Sequence, residues 1–152
     1  YYPILRKAEV FLNYAEAANE AWGPKGKDPD GICKFTAYQV IKTIRQTSGG
    51  ITDTKYLDEM AASKESFRIL IQNERRLELA FENQRYYDMR RCLLPLNEAV
   101  KGVLVTKEGD DLIYTFQKVE DRKFDGIRYY YSPLPYYECV KNPNLVNNLG
   151  WK

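Results

Sequence analysis

Glu74 and Glu78 stand four residues apart in the stretch ERRLELAFENQRYYDMRR, Glu74 to Arg91. At about 100° per residue both fall on the apolar helical face that Phe67, Leu70, Ile71, Leu77 and Phe81 would form. Two carboxylates one turn apart on such a stripe allow two chemistries. They could be paired acids for proton transfer or hydrolysis, as in glycoside hydrolysis. They could instead be buried carboxylates answered by arginines, of which Arg45, Arg75, Arg76, Arg85, Arg90 and Arg91 are available. Arginine's planar fork satisfies both oxygens of a carboxylate at once, whereas a catalytic acid needs an open cleft. The structural reading is favoured. Arg85, Asp88 and Arg91, three apart, can pair along a short following helix. The expected structural ion-pair network is therefore Glu74, Glu78, Arg75, Arg85, Asp88 and Arg91, with no catalytic residue.

Other chemistries are thinly supplied. The 152 residues include no histidine, which removes the commonest general base and the commonest metal ligand. Cys33, Cys92 and Cys139 are far apart and form no C-x-x-C pair, so a zinc site is not expected and free thiols are. No cofactor is expected. A net charge of +2, with the basic residues interleaved among acids, gives no field for a phosphate backbone, so no nucleic-acid partner is expected. With 44% hydrophobic and 29% charged residues the composition is that of a folded globular protein. No apolar run approaches the roughly 20 residues that span a bilayer.

The elements that must position these residues follow from periodicity. Ile4, Ala8, Phe11, Leu12, Ala15, Ala18 and Trp22 recur at helical steps from Pro3 to Trp22, and Gly23-Pro24 ends that helix. GPKGKDPDG, Gly23 to Gly31, is a loop by composition. A second helix is expected over Phe35–Thr47, with Tyr38, Ile41 and Ile44 on one side. Residues 1–50 thus read as a tetratricopeptide-like helix pair, which needs stacked neighbours to bury its apolar face. Charged helices fill residues 51–102. One begins after a Ser63 N-cap and runs to Phe81, Asn83 breaks it in a left-handed conformation, and a short helix covers Arg85–Cys92. Residues 103–152 comprise a β-hairpin and a Pro/Asn-rich tail. VLVT and LIYTFQKV flank the turn KEGDD, placing Leu112, Tyr114 and Phe116 on one face. IRYYYS is a third candidate strand, and the tail is expected to be extended and irregular, anchored by Trp151.

Four ordered blocks, PILRKAEVFLNYAEAANE, AYQVIKTIRQTSGGI, NERRLELAFENQRYYDMRR and YYYSPLPYYECVKNPNLVNNLGW, resemble the C-terminal part of SusD/RagB proteins. Asn83 stands where that family usually has Gly, a conservative change at a left-handed position. The resemblance implies a mainly α fold: a tetratricopeptide-like α-α superhelix with a small C-terminal hairpin and an irregular tail. It implies a longer protein, in keeping with a sequence that opens YYPILRKAEV without an initiator Met. It also implies a surface-exposed outer-membrane lipoprotein of Bacteroidetes, attached through a lipid anchor upstream of this segment. Such a protein captures a glycan or other nutrient oligomer without enzymatic turnover, as a lid on a TonB-dependent transporter of the SusC type. The alternative is a tetratricopeptide-like protein-interaction scaffold without ligand binding in this segment. Sugar binding would need aromatic platforms. Trp22, Tyr130 and Tyr137 are the local candidates, although their spacing beside apolar residues also suits packing.

Overall fold

The computed structural model describes residues 6–124 and 126–151. In chain order the elements are α1 (Lys7–Trp22), α2 (Ala37–Thr47), α3 (Lys55–Met60), α4 (Lys64–Glu78), α5 (Gln84–Arg91), β1 (Val100–Glu108), β2 (Asp111–Glu120), a 3-10 turn (Ile127–Tyr130) and α6 (Tyr136–Lys141). The fold is mainly helical with one small antiparallel sheet. Two compact units divide the chain, Tyr1–Arg85 and Tyr86–Lys152.

In the first unit α1 packs against both α2 and α4, and α3 lies against α4. Leu12, Ala15 and Ala18 give α1 a buried face of small and branched residues that lets its neighbours approach closely. Ala37, Val40, Ile41 and Ile44 of α2, Leu57 of α3, and Phe67, Leu70 and Ile71 of α4 complete the core. The helix starts are chemically explicit. Thr36 and Gln39 form a reciprocal capping box that fixes where α2 begins, two residues after the expected start at Phe35. Ser63 accepts the backbone N–H of Ser66 at 3.0 Å and caps α4. Pro3 and Ile4, where the first helix was expected to start, lie outside the described residues.

Two sequence expectations for α4 are corrected. The helix stops at Glu78, and Phe81 lies beyond it with φ 66°, so the wheel that placed Phe81 inward no longer applies. Phe81 is fully exposed and Leu77, at the edge of the stripe, is also exposed. The buried face is instead Phe67, Leu70, Ile71, Glu74 and Arg75. Asn83 does adopt the left-handed conformation, φ 61°.

In the second unit β1 and β2 form an antiparallel hairpin closed at Gly109, whose φ of 64° suits a residue without Cβ. IRYYYS is not a strand. Its Ile127–Tyr130 portion is a 3-10 turn, because Tyr129 and Tyr131 donate to the carbonyls of Gly126 and Arg128, three and three residues back, instead of to a neighbouring strand. The tail is not wholly irregular either. Pro135 opens α6, its carbonyl accepting from Glu138 and Cys139.

Candidate functional site

Glu74 and Glu78 meet different cations. The Glu74 side chain, 8% exposed, accepts a short hydrogen bond from Nη1 of Arg45 on α2, itself 13% exposed. Arg45 Nε is buried without a partner among the described residues, and its guanidinium lies 5.7 Å from the Tyr56 ring centroid. Glu78 is held by Arg6, whose Nη1 lies 3.2 Å from Oε1 and whose Nη2 donates to the Glu78 backbone carbonyl at 2.5 Å. Arg6 also reaches Glu82 through Nε at 3.1 Å and Nη2 at 2.8 Å. That hydrogen bond to Glu82, with Glu78 beside it, raises the Arg6 pKa further. A cleft of about 230 Å³ opens beside Glu74 and Glu78, walled by Ile44, Arg45, Ile51 and Leu77. Both carboxylates on it are already engaged by guanidinium groups, an arrangement that locks helices together more readily than it moves protons.

The remaining members of the expected network divide. Arg75 donates to Asn13 Oδ1 at 2.5 Å, joining α4 to α1. Asp88 is buried and accepts from Arg91 Nε at 2.8 Å. Arg85 makes no ion pair among the described residues. The order along the helix explains the choice: an acid preceding its base, as Asp88 precedes Arg91, is the better orientation, and Arg85 to Asp88 is the reverse. Arg6 could not be found from sequence, since 72 positions separate it from Glu78.

A second charged cluster escaped sequence reasoning altogether. Arg68 Nε and Nη2 donate to the two oxygens of Glu20 at 2.7 Å each, and Lys64 Nζ lies 3.3 Å from Glu20 Oε2. These bonds, Arg68's first, lower the Glu20 carboxyl from 4.5 to about 2. A depressed folded-state pKa gives stability that is complete above the usual carboxylate value and lost as pH falls from about 4.5 towards about 2. Solvent reaches the pair, so the contribution is about 1 kcal/mol or less. Glu20→Gln should therefore lower stability slightly at pH 6, with most but not all of that difference gone by pH 2.5, as read by urea denaturation at both pH values. An equal difference at both would contradict the linkage.

The aromatic candidates occupy unlike environments. Trp22, in the first unit, is half-buried against the core. The loop after it folds back so closely that a Cβ on Gly26 would lie 1.8 Å from the Trp22 carbonyl oxygen, which leaves only glycine there. Tyr130 and Tyr137 belong to the second unit. Tyr130 is half-buried, with its hydroxyl donating to the Leu94 carbonyl at 2.9 Å. Tyr137 is 75% exposed and meets Tyr136 edge to face, centroids 5.8 Å apart. Sequence reasoning missed the groove beside them, about 470 Å³, lined by Pro133, Leu134, Pro135, Tyr136, Cys139, Leu145 and Asn147. Asn147 Oδ1 accepts from the Leu134 and Asn148 backbone N–H groups, and Trp151 Nε1 donates to the carbonyls of Arg128 and Tyr131. Cys33, Cys92 and Cys139 are half-buried and are not joined in disulfides.

The model of the SusD family matches residues 1–151. This chain belongs to the SusD family. The SusD-like protein P2 of Formosa agariphila is 30% identical over 153 residues, covering 99% of this chain and 26% of that protein. The crystal structure of a SusD-like protein from Bacteroides fragilis aligns with a TM-score of 0.67 at 34% identity, over 97% of this chain and 25% of that one. The chain thus spans about a quarter of the length of the relatives it matches. In this SusD-family segment Arg6–Glu78 and Arg45–Glu74 tie α4 to the chain before α1 and to α2, while its exposed aromatic pair stands on α6.

Proposed function

We propose that this segment belongs to a non-enzymatic cell-surface protein that captures a glycan or other nutrient oligomer and passes it to a TonB-dependent transporter of the SusC type, over which it acts as a lid. The observation that carries the reading is membership of the SusD family along residues 1–151. The chemistry is consistent with it: the carboxylates Glu74 and Glu78, spaced one helical turn apart, are each occupied by an arginine. Within the proposed protein this segment is mostly scaffold. Trp22 and Tyr130 are spent on packing and on a backbone hydrogen bond, and of the three aromatic candidates Tyr137 alone keeps an open face. Attachment to the outer membrane is through a lipid anchor upstream, and no described helix is long and apolar enough to cross a membrane.

The test uses the intact protein. Calorimetry against a panel of oligosaccharides should give saturable binding, with no product released on prolonged incubation, and the transporter should co-purify from detergent-solubilised outer membrane. Turnover of a polysaccharide by the purified protein would overturn the reading. Tyr137→Ala should weaken oligosaccharide binding if this segment supplies a platform, and leave it unchanged if the segment is scaffold alone.

A further inference from the structure

The groove on the second unit has two walls, joined by one reversal of the chain. Leu134, Tyr136 and Cys139 belong to one wall, and Leu145 and Asn147 form the other. Between them the chain leaves α6 and turns back over Asn142–Leu145. The Asn142 side chain accepts the Asn144 N–H at 3.1 Å, and its carbonyl accepts the Leu145 N–H at 3.0 Å. Pro143, with its φ fixed, stiffens that turn. Residues 145–151 then run back along residues 128–134 in the opposite direction. Asn147 Oδ1 accepts the Leu134 N–H at 2.8 Å, and Asn148 Nδ2 donates to the Ser132 carbonyl at 2.6 Å. Trp151 Nε1 donates to the carbonyls of Tyr131 and Arg128 at 3.0 and 3.1 Å. At Gly150 the two segments pass so close that a Cβ would lie 2.8 Å from the Arg128 Cβ.

Side-chain hydrogen bonds seat this segment, in place of a sheet or a packed core. The sheet among the described residues is β1–β2 alone. Of the aliphatic residues in 145–151, Leu145 lines the groove, while Val146 and Leu149 point away from the unit, 87% and 70% exposed. Each hydrogen bond adds only modestly to closure, because its groups exchange a protein partner for water when it breaks. The 3-10 turn and α6 keep their own local hydrogen bonds whether or not the segment is seated. Residues 145–151 can therefore lift without unfolding either. Lifting about the Asn142–Leu145 turn carries Leu145 and Asn147 away from Cys139 and opens the groove. We infer that residues 145–151 are a strap that closes this groove, seated through Asn147, Asn148 and Trp151 and released as one piece.

Trp151 tests the strap from its far end, since it lies outside the groove lining. Trp151→Phe keeps an aromatic ring and removes the Nε1 donor. Two readouts on the intact protein follow the groove itself. Iodoacetamide alkylation of Cys139, quantified by peptide mass spectrometry, reports access to the groove, with Cys33 and Cys92 as internal references. Hydrogen exchange at Leu134 reports the Asn147 tether, and its neighbours Pro133 and Pro135 have no N–H to confuse the reading. Trp151→Phe should speed both by about two- to tenfold, the range that one net hydrogen bond represents, with Cys33 and Cys92 at parent rates. Asn147→Leu, which removes the acceptor at the groove wall, should speed Cys139 alkylation to a similar degree. Parent rates at both Cys139 and Leu134 in Trp151→Phe would show that the tethers act separately, and the strap falls. A rise at all three cysteines would mean general loosening and would overturn it too. So would a Cys139 that stays unreactive in the parent and in both variants, since the groove would then be closed by something other than the strap.

Discussion

Glu74→Ala should lower the unfolding free energy by about 3–5 kcal/mol, the largest loss expected from any charged position in the chain. The reason lies with the residue left behind. Arg45 is 13% exposed, its Nε already lacks a partner among the described residues, and Glu74 is the carboxylate that answers its Nη1. Truncating Glu74 strands a guanidinium in a site poorly reached by water. Removing both charges is a different experiment. Glu74→Leu combined with Arg45→Met replaces the pair by apolar volume and should recover most of the loss, because a buried pair contributes little net stability against a well-packed apolar substitute. Glu78→Ala should be milder than Glu74→Ala, since Arg6 is 31% exposed and keeps Glu82 as a partner. Guanidinium chloride denaturation of the three variants checks the order. A Glu74→Ala midpoint equal to the parent's would show that the pair does not hold α2 to α4.

What could be read from sequence was whatever repeats within one element. The faces of α1 and α2 follow from three- and four-residue steps, Ser63 from its place before a first-turn Glu65, and the hairpin from alternation about Gly109. Short elements escaped for the converse reason. Six residues in α3 and six in α6 are too few to show a period, and α6 buries none of its side chains. IRYYYS has the aromatic composition of a strand, but composition does not provide a neighbouring strand, and local hydrogen bonds closed the turn instead. The candidate site shows the same division. That Glu74 points inward was legible from the helical wheel. Which arginine meets it was not, because Arg45 is 29 positions away and Arg6 lies 72 positions from Glu78. Spacing on one helix identifies a face; it does not identify the partner that another element brings to that face.

Phe67→Ala should cost about 3–5 kcal/mol, comparable to Glu74→Ala but by a different mechanism. Phe67 is fully buried at the first turn of α4, within the core to which α1, α2 and α3 all contribute. Its ring lies roughly parallel to that of Tyr38 on α2, centroids 6.4 Å apart at 19°. Truncation removes the transfer energy of the ring and leaves a cavity that three packed helices can close only in part. Phe67→Leu keeps most of the volume and should lose less than half as much. Because Tyr38 also donates to Asp58 at 2.9 Å and receives Lys25 over its ring, loss of Phe67 should also loosen the loop after α1. Hydrogen exchange would show that as faster exchange at the Tyr38 amide, which donates to the Pro24 carbonyl at 2.9 Å. Phe67 and Glu74 are two turns apart on one helix, about 10 Å, and meet different residues of α2, Tyr38 and Arg45. Their losses should therefore add to within about 0.5 kcal/mol in the double variant. A double variant much more stable than the sum would mean that the cavity and the ion pair stabilise one common contact, the packing of α2 on α4, and not two separate ones.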